Sequence, residues 1–323
     1  MLKYFLRRLL AMIPKLIIIS LVVFFALQLL PGDAVTRSVS PDVYRNMTPE
    51  QLDALRESLG LNDPLLVQYL RWVRNILRGE FGYSQATGAN IAGMLAARLP
   101  ATIELTFWAL VVANVLGLLL GVVAALRQNT WVDYGNTVLS IIGISVPEFF
   151  FGQLFIVLFA IRLGWLPTGG RMAAGGDSSF FARIPYMILP VLCLAISLIA
   201  TMSRYTRSSM LDILNKEYIK TARSKGISET RVNLRHVFRN ALAPMMVLMI
   251  MRLPMLVSGT VVIEMVFNYP GMGSMILDAV SSGDMPVVMI TTMVIGTVCL
   301  VASTLADIAT ALLDPRVRFG AGA

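Results

Sequence analysis

The chain has 323 residues, of which 56% are hydrophobic and only 14% charged, with a mean hydropathy of +0.72. Soluble domains carry about 25% charged residues, so this composition excludes an ordinary soluble protein. The net charge of +8 raises nucleic acid as a partner, but the basic residues flank apolar runs without an aromatic–basic pattern or base-reading module.

The first apolar run extends from about Leu9 to Leu30, behind Lys3, Arg7 and Arg8. A secretory signal peptide starts the same way. The length of the run, and the absence of a small-x-small site in Leu29-Leu30-Pro31-Gly32-Asp33, favour a retained span. Five more apolar blocks follow, at about Ala101–Leu126, Thr137–Ile161, Tyr186–Met202, Ala241–Val266 and Pro286–Leu312. A run of roughly 18 or more apolar residues can cross the ~30 Å hydrocarbon layer. The expectation is therefore an all-α membrane protein with six transmembrane helices.

The segment between the first two spans, 31–100, reads as helical and extracytoplasmic. Thr48-Pro49-Glu50-Gln51 has the pattern of a capping box with proline at the first helical position. Leu52, Leu55 and Leu59 follow at helical spacing, and Gly60 suits a C-cap. Asp63-Pro64 opens a second helix, with Leu66, Tyr69, Trp72, Val73 and Ile76 on one stripe and Gly79 as its stop. Such helices lie on a membrane surface or pack over the spans.

Basic residues set the topology. An inside N-terminus puts Lys3, Arg7, Arg8, Arg127, the cluster from Arg204 to Arg239, Arg316 and Arg318 in the cytoplasm, while the outer loop Phe267–Met285 has no Lys or Arg. Both termini are then cytoplasmic. The implied organisation is an N-terminal span in 1–30, the outer segment 31–100, a five-helix core in 101–312 enclosing a cytoplasmic loop at 204–240, and a tail at 313–323.

Catalytic motifs are not found. Gly170 through Gly175 is followed by Gly176-Asp177, not the Lys-Ser/Thr of a phosphate-binding loop. Gly271-Met272-Gly273 lacks the third glycine of a dinucleotide fingerprint and reads as a turn behind Pro270. His236 has no carboxylate or cysteine at ligand spacing, and Cys193 and Cys299 sit apart in apolar blocks. The expectation is no catalytic residue, no metal site and no cofactor in this chain. Gly117-Leu118-Leu119-Leu120-Gly121 is a small-x-x-x-small helix contact.

Ionisable residues at membrane depth cost roughly 2.5–3.5 kcal/mol for a central Asp, Lys or Arg. Glu104, Glu148, Arg252, Glu264 and Asp307 are the candidates, with Arg252 the most central. As relays they would suit an ion-coupled secondary transporter that works without an ATPase. The cytoplasmic loop offers another reading. In Glu217–Gly226, Tyr218, Ala222 and Gly226 share a helix face, and its small residues leave room for a partner protein. A basic stretch attracted to anionic lipid has the same composition.

Here the residues match a known pattern. Ala222-Arg223-Ser224-Lys225-Gly226, then Arg235-His236 and Asn240-Ala241-Leu242-Ala243-Pro244, resemble the EAA loop of binding-protein-dependent ABC importer permeases. The likeness is to the dipeptide/oligopeptide/nickel subclass, and to its first permease subunit. Leu59–Leu65 with Gln68-Tyr69, Arg98–Leu105, Gly164–Pro167, Glu264 through Gly273, Asp284-Met285-Pro286 and Asp314–Arg318 extend it in order along the chain. Lys220-Thr221-Ala222 stands where the broader family has Glu-Ala-Ala, a departure usual in the peptide subclass.

The resemblance implies a type I ABC importer permease fold in a bacterial cell membrane. It also implies a peptide substrate, a second homologous permease subunit, two ATPase subunits binding ATP and Mg, and an extracytoplasmic substrate-binding protein. By the same resemblance, Glu217, Tyr218, Thr221, Ala222, Lys225 and Gly226 would couple to an ATPase. Leu256, Ser258, Val261 and Glu264 are candidates for the translocation path.

Overall fold

The computed structural model describes residues 2–28, 46–58, 60–173, 175–177 and 179–313, with side chains described except at 2–5, 27, 243–244, 253–259 and 312–313. The described residues are helical, apart from turns and one isolated bridge between Tyr83 and Asn90. In chain order the helices are α1 (Leu2–Gln28), α2 (Pro49–Ser58), α3 (Leu65–Leu77), α4 (Ile91–Leu126), α5 (Trp131–Ser145) and α6 (Glu148–Phe155). They continue with α7 (Phe180–Leu214), α8 (Glu217–Ser224), α9 (Arg239–Met251), α10 (Leu253–Val266), α11 (Met272–Ser282) and α12 (Met285–Leu313).

Among the described residues, four helices are long and apolar enough to cross a membrane: Leu6–Ala26, Ile91–Leu126, Phe180–Leu214 and Met285–Ala311. The third expected span is not straight. Pro147 carries no N–H and forces Val146 into extended backbone (φ −88°, ψ 129°), so α5 and the helix continuing from α6 to Arg162 meet at 102°. Counted as one span, this pair makes five. The fifth expected span, Ala241–Val266, is divided into α9 and α10 at Arg252. Pro254, at the start of α10, cannot donate back into the helical ladder. Each half, at 13 and 14 residues, rises only about 20 Å. Large apolar side chains on the spans are left exposed, Leu10, Ile18, Leu139 and Leu305 among them, as a lipid solvent permits.

The chain forms two compact units, 1–101 with 270–300 and 102–269 with 301–323. In the first, Ile91, Leu95, Met272, Met275, Ala279, Val287 and Ile290 make a core against which Trp72, Ile76 and Phe81 pack. The capping box of α2 is formed reciprocally: the Thr48 N–H donates to Gln51 Oε1 at 3.0 Å, and the Gln51 N–H to Thr48 Oγ1 at 3.3 Å. Helix α3 turns Tyr69 onto α1, where its hydroxyl meets that of Ser20 at 2.7 Å and its ring meets Phe24 edge-on at 5.5 Å. Leu66 is off that stripe and 63% exposed. Asp284, nearly fully buried, accepts from the Ser84 hydroxyl and from the N–H groups of Gln85 and Ala86.

In the second unit, α7 is the central element, packed by α5, α6, α9 and α10. The Gly117/Gly121 pair lets α4 approach it closely. A Cβ on Gly121 would lie 2.5 Å from both the Ser203 carbonyl oxygen and Thr206 Cβ, and one on Gly117 would lie 2.5 Å from Met202 Cβ. Helix α5 meets α7 through polar contacts. The Ser203 hydroxyl donates to Asn136 Oδ1 at 2.7 Å, and Arg207 forks onto Asp133, one of its two bonds at 2.8 Å.

Candidate functional site

The cytoplasmic loop presents α8 as a short helix held from beneath. Ile219 is fully buried in a cluster with Met210, Val232, Val237, Ala241 and Met245, and Ala222 packs against it half-buried. On the other faces Glu217, Tyr218, Thr221, Lys225 and Gly226 are exposed, Tyr218 by 48%. One buried anchor, flanked by the half-buried Ala222, therefore fixes a helix whose other side chains are exposed.

Its termini are made locally. Glu217 lies in the first turn, where a carboxylate suits the positive end of the helix dipole, and it accepts from Lys220 Nζ at 2.8 Å. The end is a glycine stop: Gly226 has φ +74°, its N–H donates to the Arg223 carbonyl at 2.9 Å, and that of Ile227 to the Ala222 carbonyl at 3.4 Å. Arg223 reaches past the stop to both oxygens of Glu229, at 2.8 and 3.2 Å, bracing the turn. A Cβ on Gly226 would meet nothing within 4 Å. Within this chain, its requirement is the left-handed backbone and not a close neighbour. The chain then passes through a wide π-helical segment, Val232–Phe238, into α9. His236 lies in it, and its carbonyl accepts from Asn240 Nδ2 at 2.6 Å.

The path candidates separate. Glu264 is fully buried and accepts from Thr102 Oγ1 at 2.7 Å; Val261 is half-buried. The side chains of Leu256 and Ser258 lie outside the described residues, as do Asp314–Arg318 and Leu59. Around Glu104 the structure collects what sequence spacing did not. Arg171 donates to Glu104 Oε2 at 2.7 Å and Arg183 at 2.8 Å, tying α4 to the loop before α7 and to α7 itself. Tyr269 is buried in the turn after α10, and burial, with the Glu104 carboxylate adding to it, pushes its hydroxyl up to about 12. Arg171 and Arg183 stand 67 and 79 residues from their partner, so no local pattern signals the cluster. Among the described residues no group of three or more His, Cys, Asp or Glu is placed to hold a metal ion.

The model of the binding-protein-dependent transport system inner membrane component matches residues 117–319, and the companion N-terminal model matches residues 1–106. The chain belongs to this family. It is an ABC importer permease of the peptide type, a transport component of the membrane with several spanning helices. The family works with an ATPase and a substrate-binding protein.

Full-length relatives agree. The oligopeptide transport system permease protein AppB of Bacillus subtilis (strain 168) is 38% identical over 317 residues, covering 98% of this chain and 99% of its own. The glutathione transport system permease protein GsiC of Escherichia coli (strain K12) is 35% identical over 319 residues, covering 99% and 100%. A protein of Brucella suis biovar 1 (strain 1330) that carries a peptide-permease name is 40% identical over 319 residues, covering 98% and 99%. The inward-facing MetNI methionine ABC transporter superposes with a TM-score of 0.54 at 16% identity, over 68% of this chain and 96% of that one, which supports the type I importer fold. An ion-coupled carrier is not favoured.

Proposed function

We propose that this chain is the first permease subunit of an importer that moves di- and oligopeptides inward, delivered by an extracytoplasmic binding protein and driven by ATP. Two ATPase subunits, which bind ATP and Mg, dock on the cytoplasmic loops of this chain and of a second homologous permease. This chain has six spans, counting α5–α6 and α9–α10 as one each, with both termini in the cytoplasm of a bacterial cell. It holds no cofactor and catalyses no reaction.

The observation that carries the reading is α8: a short helix anchored by the buried Ile219, with Tyr218, Thr221 and Lys225 turned outward. A rigid, outward-facing helix on a buried anchor transmits a push from a docked subunit into the spans, because displacing Ile219 displaces the cluster it shares with α7 and α9. The peptide class follows from the names of the full-length relatives.

Purification of the tagged chain from mild detergent, with ATPase activity measured on the eluate, tests the proposal. Recovery of a second permease and two ATPases, with activity lost in Gly226→Trp, is the expected result. A chain that purifies alone and transports in liposomes without ATP would refute it.

A further inference from the structure

Arg252 is the one strongly charged group in the break between α9 and α10, near the middle of the apolar block 241–266. It lines a cavity of about 100 Å³ together with Asn114, Thr201 and Tyr205, walled by Leu110 and Leu198. Asn114 lies mid-way along the apolar block of α4, and Thr201 lies within the long apolar α7, so the cavity is at membrane depth. No Asp or Glu is among the described residues lining it. Arg252 supplies the formal charge of this lining, and the Asn114 amide and the Tyr205 hydroxyl add polar hydrogens, while the Thr201 hydroxyl donates to the Ser197 carbonyl at 2.9 Å. A second cavity, of about 390 Å³, shares Thr201 and Tyr205 and runs along α7 past Arg204 and Ser208 to Asp212. This second cavity therefore leads from Thr201 toward the cytoplasmic end of α7.

We infer that the Arg252 cavity is a subsite of the translocation path that takes the carboxylate of a passing peptide. The inference rests on the peptide-importer reading and adds to it the solute group that is recognised. A guanidinium presents a planar pair of N–H donors that matches a carboxylate, and away from water that match is stronger than at a surface. At the junction of α9 and α10 Arg252 keeps helical backbone (φ −83°, ψ −14°), its N–H donating to the Met249 carbonyl at 3.2 Å, so it is the side chain alone that distinguishes the position. The neighbouring polar groups on α4 and α7 give the second carboxylate oxygen a place to bind. Glu264, one helix further on, is held by Thr102 and is not among the cavity-lining groups.

The test uses the complete transporter in proteoliposomes, with its binding protein and ATPases. ATP-driven uptake is compared for trialanine, its C-terminal amide, and Ala-Glu-Ala amide, which separates the terminal carboxylate from an acidic side chain. Arg252→Gln is expected to lower trialanine uptake about tenfold or more, the usual loss for a charge-assisted hydrogen bond, and amide uptake little. Because the binding protein is unchanged, a shift in the acid-to-amide ratio belongs to the permease. If Ala-Glu-Ala amide falls along with trialanine, the cavity takes either carboxylate.

An acid-to-amide ratio the same in Arg252→Gln as in wild type overturns the inference and leaves the importer reading standing. A wild-type complex that hydrolyses ATP but takes up none of the three removes the peptide reading, and this inference with it. Should Arg252→Gln fail to assemble, Arg252→Lys keeps the charge without the fork and is expected to lower trialanine uptake several-fold with amide uptake unchanged. Equal effects on both peptides would then overturn it.

Discussion

Replacing a glycine by alanine should have opposite consequences at two places in the same unit. At Gly121 the added methyl would sit 2.5 Å from the Ser203 carbonyl oxygen and from Thr206 Cβ, about 0.9 Å inside the ordinary contact limit of 3.4 Å. Neither atom is the end of a flexible side chain, so the strain falls on the separation between α4 and α7. Opening a seam by 0.5–1 Å forfeits roughly a quarter to a half of the dispersion energy across it. With no rotamer available to relieve the overlap, Gly121→Ala should cost about 3 kcal/mol, the upper end for overpacking.

At Gly135, on α5, an added Cβ meets nothing within 4 Å, and the same change should gain up to about 1 kcal/mol by removing a flexible residue from a helix. Trimming Thr206→Ala should not rescue Gly121→Ala, because the carbonyl and the Cβ both remain. Unfolding equilibria in mixed micelles measure all three. Gly121→Ala and Gly135→Ala within about 0.5 kcal/mol of each other would refute the idea that α4 and α7 are held at glycine distance.

Other expectations follow from the polar contacts. Asp133 is 2% exposed and Arg207 28%, so Arg207→Gln should destabilise by about 3 kcal/mol through the stranded carboxylate, and Asp133→Asn with Arg207→Gln should recover much of that; a double-mutant cycle in micelles decides. Glu104→Gln leaves Arg171 and Arg183 sharing a neutral acceptor, and should raise the proteolysis rate of loop 163–179 without altering ATPase subunit recovery. Gly226→Ala imposes a left-handed backbone on a side chain for about 1–2 kcal/mol, while Gly226→Trp adds bulk on an exposed face. The first should lower ATPase co-purification slightly and the second strongly. For Tyr269, the unfolded hydroxyl ionises near 10 and the folded one near 12, so the unfolded state loses its proton first. Stability should fall as pH rises between those values, a slope absent in Tyr269→Phe.

Much of the protein was legible in its sequence because membrane folds are written in runs. Apolar blocks, basic flanks and the Thr48–Gln51 cap are local signals, each set by hydration or by hydrogen bonds a few residues long. The same holds for Gly226, whose role as a helix stop needs only its own backbone. The family likeness too was carried by short motifs in order. Arg252 stands out as a charge at depth for a similar reason, since an apolar run makes any such residue conspicuous.

Continuity of the spans was not legible. The 102° turn at Pro147 and the break at Arg252 depend on whether neighbouring helices support a proline kink or let it part, and hydropathy averages over both. Nor did spacing predict which polar groups would meet. Glu104 finds Arg171 and Arg183, Asp133 finds Arg207, and Ser84 finds Asp284 across 67 to 200 residues. Within a membrane a buried charge must be paired by whatever the fold brings within reach, so composition dictated that partners would exist and only the tertiary arrangement could choose them.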